Sequence, residues 1–305
     1  MACEHCHCCP SMYSFNPDII DWINKECFDL IVFEGGEPLL YIEHIKQLVS
    51  SINTKSQYKF VTNGTLLTDE IVEWLNANNV NVLVSFDGVN SKRDTTVPIK
   101  WELVAKLKNA ALVVCCYPGN MDFGAIAQQI DSIRKNYGIN KNLPGALHQI
   151  SFPHQTAYAP NSDITIDDVS AYVGQVQLQI LCALELLANG VPFDKLWFLK
   201  NVVEKWLTPK HYEGFACFNE NNLHVTLDGR FLLCPYDHSY VGDIYNGVDW
   251  GLVKSYEPTR CKTCQIKDVC KTTCVANITA NECIIAKEMH AFLKKHVRIN
   301  ARITV

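Results

Sequence analysis

Residues 29–40 have the sequence DLIVFEGGEPLL, in which a short apolar run ends at two glycines, a carboxylate and a proline. Two later stretches repeat this arrangement of an apolar run followed by a polar turn: residues 58–67, YKFVTNGTLL, and residues 81–88, NVLVSFDG. Amphipathic stretches lie between them, so the pattern predicts strands alternating with helices, as in a parallel sheet or barrel. Because the carboxyl ends of parallel strands share one face, the three turns are expected to line one ligand site. Taken singly, each is also an ordinary turn sequence.

The same alternation extends over the first half of the chain. The predicted strands are 29–33, 58–62, 81–86, 110–116 and 147–152, and the predicted helices are 42–52, 68–78, 101–108 and 123–137. Thr68 is the predicted N-cap of its helix. Residues 166–206 are predicted to be mainly helical, and a hairpin is predicted over 223–234. After Cys217 the composition changes to short segments, turns and cysteines, which indicates a second module.

Length and composition limit the classes of protein to which the chain can belong. The chain has 305 residues, 48% of them hydrophobic, which is sufficient for a large packed core and predicts a globular, soluble protein. Its formal charge of -5 comes from interspersed acidic and basic residues, which argues against a nucleic-acid partner. No apolar run approaches the roughly 20 residues that span a bilayer, and the N-terminus lacks the features of a signal peptide. We therefore expect a cytoplasmic protein without a membrane partner.

Cysteines are unusually frequent and unevenly distributed. Eleven of the fifteen fall within residues 3–9 and 217–283. In an enzyme-sized chain without export signals, metal binding is a better explanation for them than a disulfide framework. The other four lie in apolar runs and are predicted to be packing residues: Cys27, Cys115, Cys116 and Cys182.

The C-terminal cysteines have an ordered spacing. Cys217 is followed by Gly229 and Cys234, after which come Cys261, Cys264, Cys270, Cys274 and Cys283. Thiolates at close spacing in a turn-rich backbone can converge on one metal ion or cluster. A pair of zinc ribbons is the alternative, since C-x2-C pairs also suit zinc.

These motifs together resemble the radical S-adenosylmethionine (SAM) superfamily, and more narrowly its peptide- and protein-modifying branch with a SPASM domain. The resemblance implies an α/β fold: a partial (β/α)6 barrel over residues 1–160, a helical linker or barrel completion over 161–210, and a SPASM iron-sulfur module over 211–305. In this family a 4Fe-4S cluster chelates SAM. Reduction of the cluster cleaves SAM to a 5'-deoxyadenosyl radical, which abstracts hydrogen from the substrate.

The N-terminal cysteines depart from the family's C-x3-C-x2-C loop. Cys3 and Cys6 match the last two ligands, but no cysteine stands four positions before Cys3. Either Cys8 or Cys9 supplies the third thiolate, of which we assign Cys9, or Met1 is an internal methionine of a longer reading frame that contains the first ligand. A structural zinc site is the further alternative for this Cys-His cluster.

The resemblance assigns SAM binding to the turns that follow the strands. Two adjacent glycines allow a backbone to approach a ligand closely, and a neighbouring carboxylate can accept from an ammonium group. Glu37 is the expected partner of the SAM ammonium, Ser85 of its carboxylate or ribose, and Asn63 supports that wall. The predicted cofactor-binding residues are Gly35, Gly36, Glu37, Pro38, Asn63 and Ser85.

Two auxiliary 4Fe-4S clusters are implied in the C-terminal module. One would be bound by Cys261, Cys264, Cys270 and Cys283, and the other by Cys217, Cys234 and Cys274. The second set has only three thiolates. Either a group such as His224 completes it, or one iron stays open to the substrate.

The implied function is radical modification of a ribosomally synthesised peptide by cross-linking, epimerisation or oxidation. An external donor such as ferredoxin or flavodoxin would supply electrons. One alternative is formylglycine formation as in anaerobic sulfatase maturases. Pro235 occupies the place of their catalytic Asp, which leaves Asp237 as the candidate base. The other alternative is a non-catalytic iron-sulfur electron carrier or peptide-binding scaffold.

Overall fold

The structure is a computed structural model. It describes residues 13–88, 97–114, 120, 122–139, 165–193, 196, 199–200, 202–203, 207, 218–233, 239–256, 261, 263–270 and 280–297.

A parallel sheet forms the first half of the fold. Its strands pair in chain order: β1 (Leu30–Phe33), β2 (Gln57–Thr62), β3 (Asn81–Ser85) and β4 (Ala110–Val113). The register sets Thr62 beside Val84 and Ser85 beside Val113, so these strands end along one edge. The four strands confirm the first four that the sequence predicts, while the predicted strand 147–152 lies outside the described residues.

Helices alternate with these strands. They are α1 (Asp18–Glu26), α2 (Ile42–Ser51), α3 (Asp69–Ala77), α4 (Trp101–Val104) and α5 (Phe123–Tyr137), and a 3-10 turn covers Pro38–Tyr41. Thr68 accepts a hydrogen bond from the Ile71 amide at 3.2 Å, which confirms the predicted cap. The core between sheet and helices includes Phe60, Val84 and Leu75, all at most 1% exposed. Helix α4 is shorter than the predicted 101–108.

Helix α1 was not predicted from the sequence, and it packs against the C-terminal half of the fold. Ile19 and Ile23 are buried on one face of α1. This face packs against Val225 and Ile244 of the C-terminal region. Acidic Asp18 in the first turn suits the helix dipole.

An antiparallel sheet follows in the C-terminal region. Its strands also pair in chain order: β5 (His224–Val225), β6 (Arg230–Leu232), β7 (Tyr240–Asp243) and β8 (Gly247–Val248), before helix α7 (Trp250–Ser255). The β5–β6 pair confirms the predicted hairpin within its described part. Gly229 in its turn has φ +86°, and an added Cβ would lie 2.9 Å from Ile244 Cδ1, so the turn requires glycine.

Polar contacts fasten this sheet to α1. The Tyr245 hydroxyl donates to Asp18 Oδ2 at 2.6 Å and accepts from Asn16 Nδ2 at 2.9 Å. The Asn16 amide donates to the Leu227 carbonyl at 2.9 Å. The Trp22 ring lies 5.3 Å from the Phe231 ring. The antiparallel sheet is thereby held against α1 and the residues just before it.

Two longer helices pack on each other. Helix α6 (Ile166–Ala188) begins with a capping box between Thr165 and Asp168, and helix α8 (Ala280–His296) carries Cys283. Helix α8 corrects the expectation of only short segments and turns after Cys217. Its inward residues, Ile285, Met289 and Leu293, form a helical stripe on the core.

Helix α6 also corrects the expectation that no apolar run has the length of a membrane span. Within the described residues it is the one helix long and apolar enough to cross a bilayer by length and composition. Core helices of soluble proteins pass the same test, and Val169, Val176 and Ile180 of α6 are buried in the main core.

Two cysteines are not the packing residues that the sequence predicted. Cys27 and Cys182 are both exposed. Cys27 ends α1 in a left-handed conformation with φ 57°, and its thiol donates to the Asn24 carbonyl at 3.2 Å. Cys182 lies on the outward side of α6. Cys115 and Cys116 lie outside the described residues.

Candidate active site at the carboxyl edge of the parallel sheet

The Glu37 carboxylate joins the ends of β1 and β2. Its Oε1 accepts hydrogen bonds from the Thr62 hydroxyl at 2.7 Å and the Leu39 amide at 3.1 Å. Its Oε2 accepts from the Asn63 amide at 2.8 Å. Glu37 is also the N-cap of the 3-10 turn that begins at Pro38, which is buried. The turns after the first two strands therefore form one hydrogen-bonded unit.

Asn63 shapes the second turn through its side chain. Its Oδ1 accepts from the Thr65 amide at 2.9 Å and the Thr65 hydroxyl at 2.7 Å. Gly64 between them has φ +72°, and an added Cβ would lie 3.1 Å from Ile99 Cγ2 and 3.3 Å from Val84 Cγ1. Asn63 thus holds the second turn in shape through its side chain.

The glycine pair of the first turn has a different environment. Gly35 and Gly36 are exposed, and no described atom lies within 4 Å of the position that a Cβ would take on either. Gly35 has φ +136°, which favours glycine. Within the described part of the chain, the space around these two α-carbons is therefore clear of other atoms.

The third turn lies next along the sheet edge. Ser85 ends β3 and is half-buried, and Asp87 is 1% exposed. Gly88 has φ +93°, and an added Cβ would lie 3.1 Å from Gln129 Oε1. The structure thus brings all three turns to the same edge, as expected for a parallel sheet.

A contact between Glu34 and His224 joins this edge to the antiparallel sheet. His224 Nδ1 lies 3.8 Å from Glu34 Oε1. Burial lowers the pKa of His224 to about 4, so its imidazole is neutral near pH 7. Burial raises the pKa of the Glu34 carboxyl, and the Lys59 ammonium opposes that rise. His224 Nε2 is buried without a hydrogen-bond partner among the described residues. The His224 side chain is 18% exposed and that of Glu34 47%, so the pair lies at the margin of the edge.

The predicted cysteine ligands are only partly described. Cys261, Cys264, Cys270 and Cys283 are all half-buried. The Cys264 amide donates to the Cys261 carbonyl at 3.2 Å and the Cys270 amide to the Ile266 carbonyl at 2.8 Å, so short turns connect these three cysteines, whereas Cys283 lies on α8. Among the described residues, no three Cys, His, Asp or Glu side chains are arranged to hold a single metal ion.

The remaining predicted site residues lie outside the part of the chain that the structure describes: Cys3, Cys6, Cys9, Cys217, Cys234, Asp237 and Cys274. Sequence reasoning missed Glu34, although it stands directly before the glycine pair. Its partner is distant in the chain, so no local pattern signals the contact.

Comparison with known proteins gives a short match in sequence. No protein-family model matches the chain. The radical SAM cyclopropyl synthase TigE of Paramaledivibacter caminithermalis is 41% identical over 76 residues. That match spans 24% of this chain and 16% of TigE, a small part of that relative's length.

Comparison of structures gives a match along most of the chain. anSMEcpe with bound AdoMet aligns over 96% of this chain and 93% of its own, with TM-score 0.62 and 16% identity. anSMEcpe with bound AdoMet and Kp18Cys peptide has TM-score 0.64 at the same identity and coverage. Streptococcus suis SuiB bound to precursor peptide SuiA aligns over 90% of this chain and 68% of its own, with TM-score 0.57 and 14% identity. At these identities the likenesses show the fold: this chain has the α/β fold of anSMEcpe and SuiB.

Proposed function

We propose that this chain is a radical SAM enzyme that reductively cleaves SAM and uses the 5'-deoxyadenosyl radical to modify a ribosomally synthesised peptide. The proposal rests above all on one observation: an anionic side chain, Glu37, is held beside an exposed glycine pair at the carboxyl edge of a parallel sheet. Likeness in fold to AdoMet-bound anSMEcpe supports SAM as the ligand of this edge.

Glu37 has the chemistry to bind the SAM ammonium. A carboxylate can accept about four hydrogen bonds, and the uncharged donors of Leu39, Thr62 and Asn63 orient this one. The open backbone at Gly35 and Gly36 allows the amino-acid end of SAM to approach, and Ser85 on the same edge would contact its carboxylate or ribose. Asn63 keeps the intervening turn in shape.

The donor set of the chain fits iron-sulfur clusters, because thiolates are the ligands that such clusters require. We assign a SAM-binding 4Fe-4S cluster to Cys3, Cys6 and Cys9, which when bound would supply the electron for SAM cleavage. The half-buried thiols Cys261, Cys264, Cys270 and Cys283 would hold one auxiliary cluster. Cys217, Cys234 and Cys274 would hold the other.

A peptide substrate is supported by the structural relatives, two of which are complexes with Kp18Cys peptide and with precursor peptide SuiA. The modification would be a cross-linking, an epimerisation or an oxidation, and Asp237 is a candidate base. Ferredoxin or flavodoxin would be the electron donor, in the cytoplasm. The proposed division is a barrel over 1–160, a helical segment over 161–210 and a cluster-binding module over 211–305.

Anaerobic reconstitution tests the proposal. Protein loaded with iron and sulfide, then given dithionite and SAM, is expected to release 5'-deoxyadenosine, measured by liquid chromatography and mass spectrometry. Glu37→Gln is expected to weaken SAM binding about 10- to 100-fold, the value of a charged hydrogen bond. We prefer this variant to Glu37→Ala, which would remove the acceptor of three hydrogen bonds.

Glu43→Gln is the matched control, because Glu43 is exposed on α2 and its carboxylate pairs with Lys46. Its SAM affinity and its yield of 5'-deoxyadenosine should equal those of the parent protein. A full cluster complement that yields no 5'-deoxyadenosine would favour the scaffold alternative instead. Purified protein holding zinc in place of iron and sulfide would refute the enzymatic proposal.

A further inference from the structure

We propose that a basic groove in the C-terminal module is the docking surface for an acidic electron-carrier protein of the flavodoxin kind. The groove lies between residues 265–269 and helix α8, and the lysines in and beside it are Lys267, Lys287 and Lys294. This inference rests on the proposed function, which requires an external electron donor and assigns an auxiliary cluster to the neighbouring cysteines.

The groove has a volume of about 560 Å³ and two walls. The segment 265–269 forms one wall, and the other consists of His290 and Lys294 of α8 with the adjoining Val297. Asp268 is the single acidic side chain among the described lining residues. None of these residues belongs to the turns that follow β1, β2 and β3. The groove is therefore separate from the proposed SAM site.

Both walls carry cysteines that the proposed function assigns to the same auxiliary cluster. Cys264 and Cys270 directly flank the first wall in sequence, and their thiols are half-buried. Lys287 and Lys294 follow Cys283 by four and eleven residues, so these three lie on one face of α8. Electron transfer between proteins weakens steeply with distance, so a donor must dock close to a cluster. This groove offers such a position.

Positive charge is concentrated in this part of the chain. Residues 258–305 contain nine Lys and Arg but only three Asp and Glu, a formal charge of +6, whereas residues 1–257 carry -11. This distribution corrects the expectation that acidic and basic residues are interspersed. A positive region on an otherwise negative protein attracts an acidic partner and orients it during approach.

The lysines of the groove are available to a partner's carboxylates. Lys267, Lys287 and Lys294 are exposed, and none of them forms an ion pair with a described residue. Lysines elsewhere differ: Lys46 and Lys135 each pair with an acidic residue on their own helix. Unpaired exposed charges at the rim of an interface act mainly on the rate of association and on its dependence on salt.

Acidic peptides and nucleic acids are the other polyanions that a basic groove attracts. Its position favours a redox protein, because assigned cluster ligands stand in or beside both walls. A substrate peptide must instead reach the carboxyl edge of the parallel sheet, where the proposed function places SAM.

Binding of a recombinant bacterial flavodoxin with a strongly negative net charge tests the proposal. Biolayer interferometry with the anaerobically reconstituted full chain measures the affinity and the association rate at low and high ionic strength. The affinity is expected to fall as salt rises, because salt screens exposed charges. Lys287→Glu combined with Lys294→Glu should weaken binding about 10-fold at low salt, mainly through slower association.

Lys55→Glu combined with Lys108→Glu is the matched control. Both lysines are exposed, and they stand just before β2 and β4. This pair changes the net charge of the protein equally but leaves the groove intact, so it should keep the affinity of the parent protein.

Cross-linking of the parent protein locates the contact without any variant. A zero-length carbodiimide joins lysine amines to carboxylates that touch them, and mass spectrometry of the digested product identifies the lysines. Links from the flavodoxin are expected at Lys267, Lys287 or Lys294. Because this measurement uses the unmodified chain, poor folding of a charge-reversed variant leaves the test intact.

Equal losses of affinity in the two double variants would overturn the docking surface, because net charge alone would then explain binding. Cross-links confined to lysines outside the groove would also overturn it, as would tighter binding there of a DNA oligonucleotide or a polyglutamate peptide. If the parent protein still forms 5'-deoxyadenosine with dithionite in those cases, the proposed function survives and only this inference fails. Absence of 5'-deoxyadenosine from the parent would instead contradict the proposed function.

Discussion

The Thr62 hydroxyl donates a hydrogen bond of 2.7 Å to Glu37 Oε1, joining side chains that are 25 residues apart in the chain. The same hydroxyl accepts from the Gly64 amide at 3.1 Å. Thr62 is 2% exposed, so water cannot replace either bond. One buried hydroxyl therefore couples the turn that carries Glu37 to the turn that follows β2.

We expect Thr62→Val to reduce both stability and SAM affinity. It removes the acceptor of the buried Gly64 amide and one donor to the half-buried Glu37 carboxylate, and an unsatisfied buried amide costs about 1–3 kcal/mol of unfolding free energy. Denaturant titration measures the first effect and anaerobic calorimetry with SAM the second. Thr62→Ser keeps the hydroxyl, so its unfolding free energy and its SAM affinity should match those of the parent protein. Equal losses in the two variants would contradict the role of the hydroxyl.

The two glycine turns should respond differently to alanine. Gly64→Ala places a Cβ 3.1 Å from Ile99 at φ +72°, so it should lose about 1–2 kcal/mol from the left-handed conformation alone. Gly36→Ala meets no described atom within 4 Å and should leave the melting temperature unchanged while lowering SAM affinity. Thermal denaturation and SAM titration separate the two effects. If Gly64→Ala is as stable as the parent protein, the turn after β2 tolerates a Cβ and this prediction is wrong.

Tyr245→Phe should loosen the antiparallel sheet from α1. It removes the hydroxyl that bonds Asp18 and Asn16, although the backbone bond from Asn16 to Leu227 remains. The residue is exposed, so we expect a loss of about 1 kcal/mol or less. Tyr256→Phe, at another exposed tyrosine, is the control. Hydrogen exchange of β5 to β8 that is unchanged in Tyr245→Phe would refute this anchoring role.

Acid should destabilise the turn between β7 and β8 through Asp243. Hydrogen bonds from Tyr240 and Asn246 lower the pKa of the Asp243 carboxyl to about 2. Because the folded pKa is depressed, its stabilisation is complete above the unfolded value of about 3.8 and is lost as the pH falls towards 2. Asp243→Asn should flatten the dependence of stability on pH in that window. An identical pH profile in both proteins would exclude this contribution.

Local patterns of sequence predicted much of the fold. Helix α5 covers the predicted 123–137, strand β2 begins one residue before the predicted 58–62, and Thr68 caps α3. Hydrophobic period, capping residues and turn residues act over a few positions, so a single chain segment contains the whole signal. For the same reason, the polar turns that follow the strands could be predicted from the sequence as a candidate ligand site.

Other features depend on which segments meet, and sequence reasoning did not find them. Helices α1 and α8 are stabilised by packing partners elsewhere, and the exposure of Cys27 and Cys182 reflects which helix faces stay uncovered. The contact of Glu34 with His224 joins two sheets.

By itself, then, the sequence determined the alternation of strands and helices, the polar turns and the ordered cysteines, because each is encoded over short distances. Only the tertiary structure decided that Thr62 and Asn63 hold the Glu37 carboxylate and that β5 brings a neutral histidine beside Glu34. Hydrogen bonding and burial between distant segments arise from packing, which no local pattern encodes.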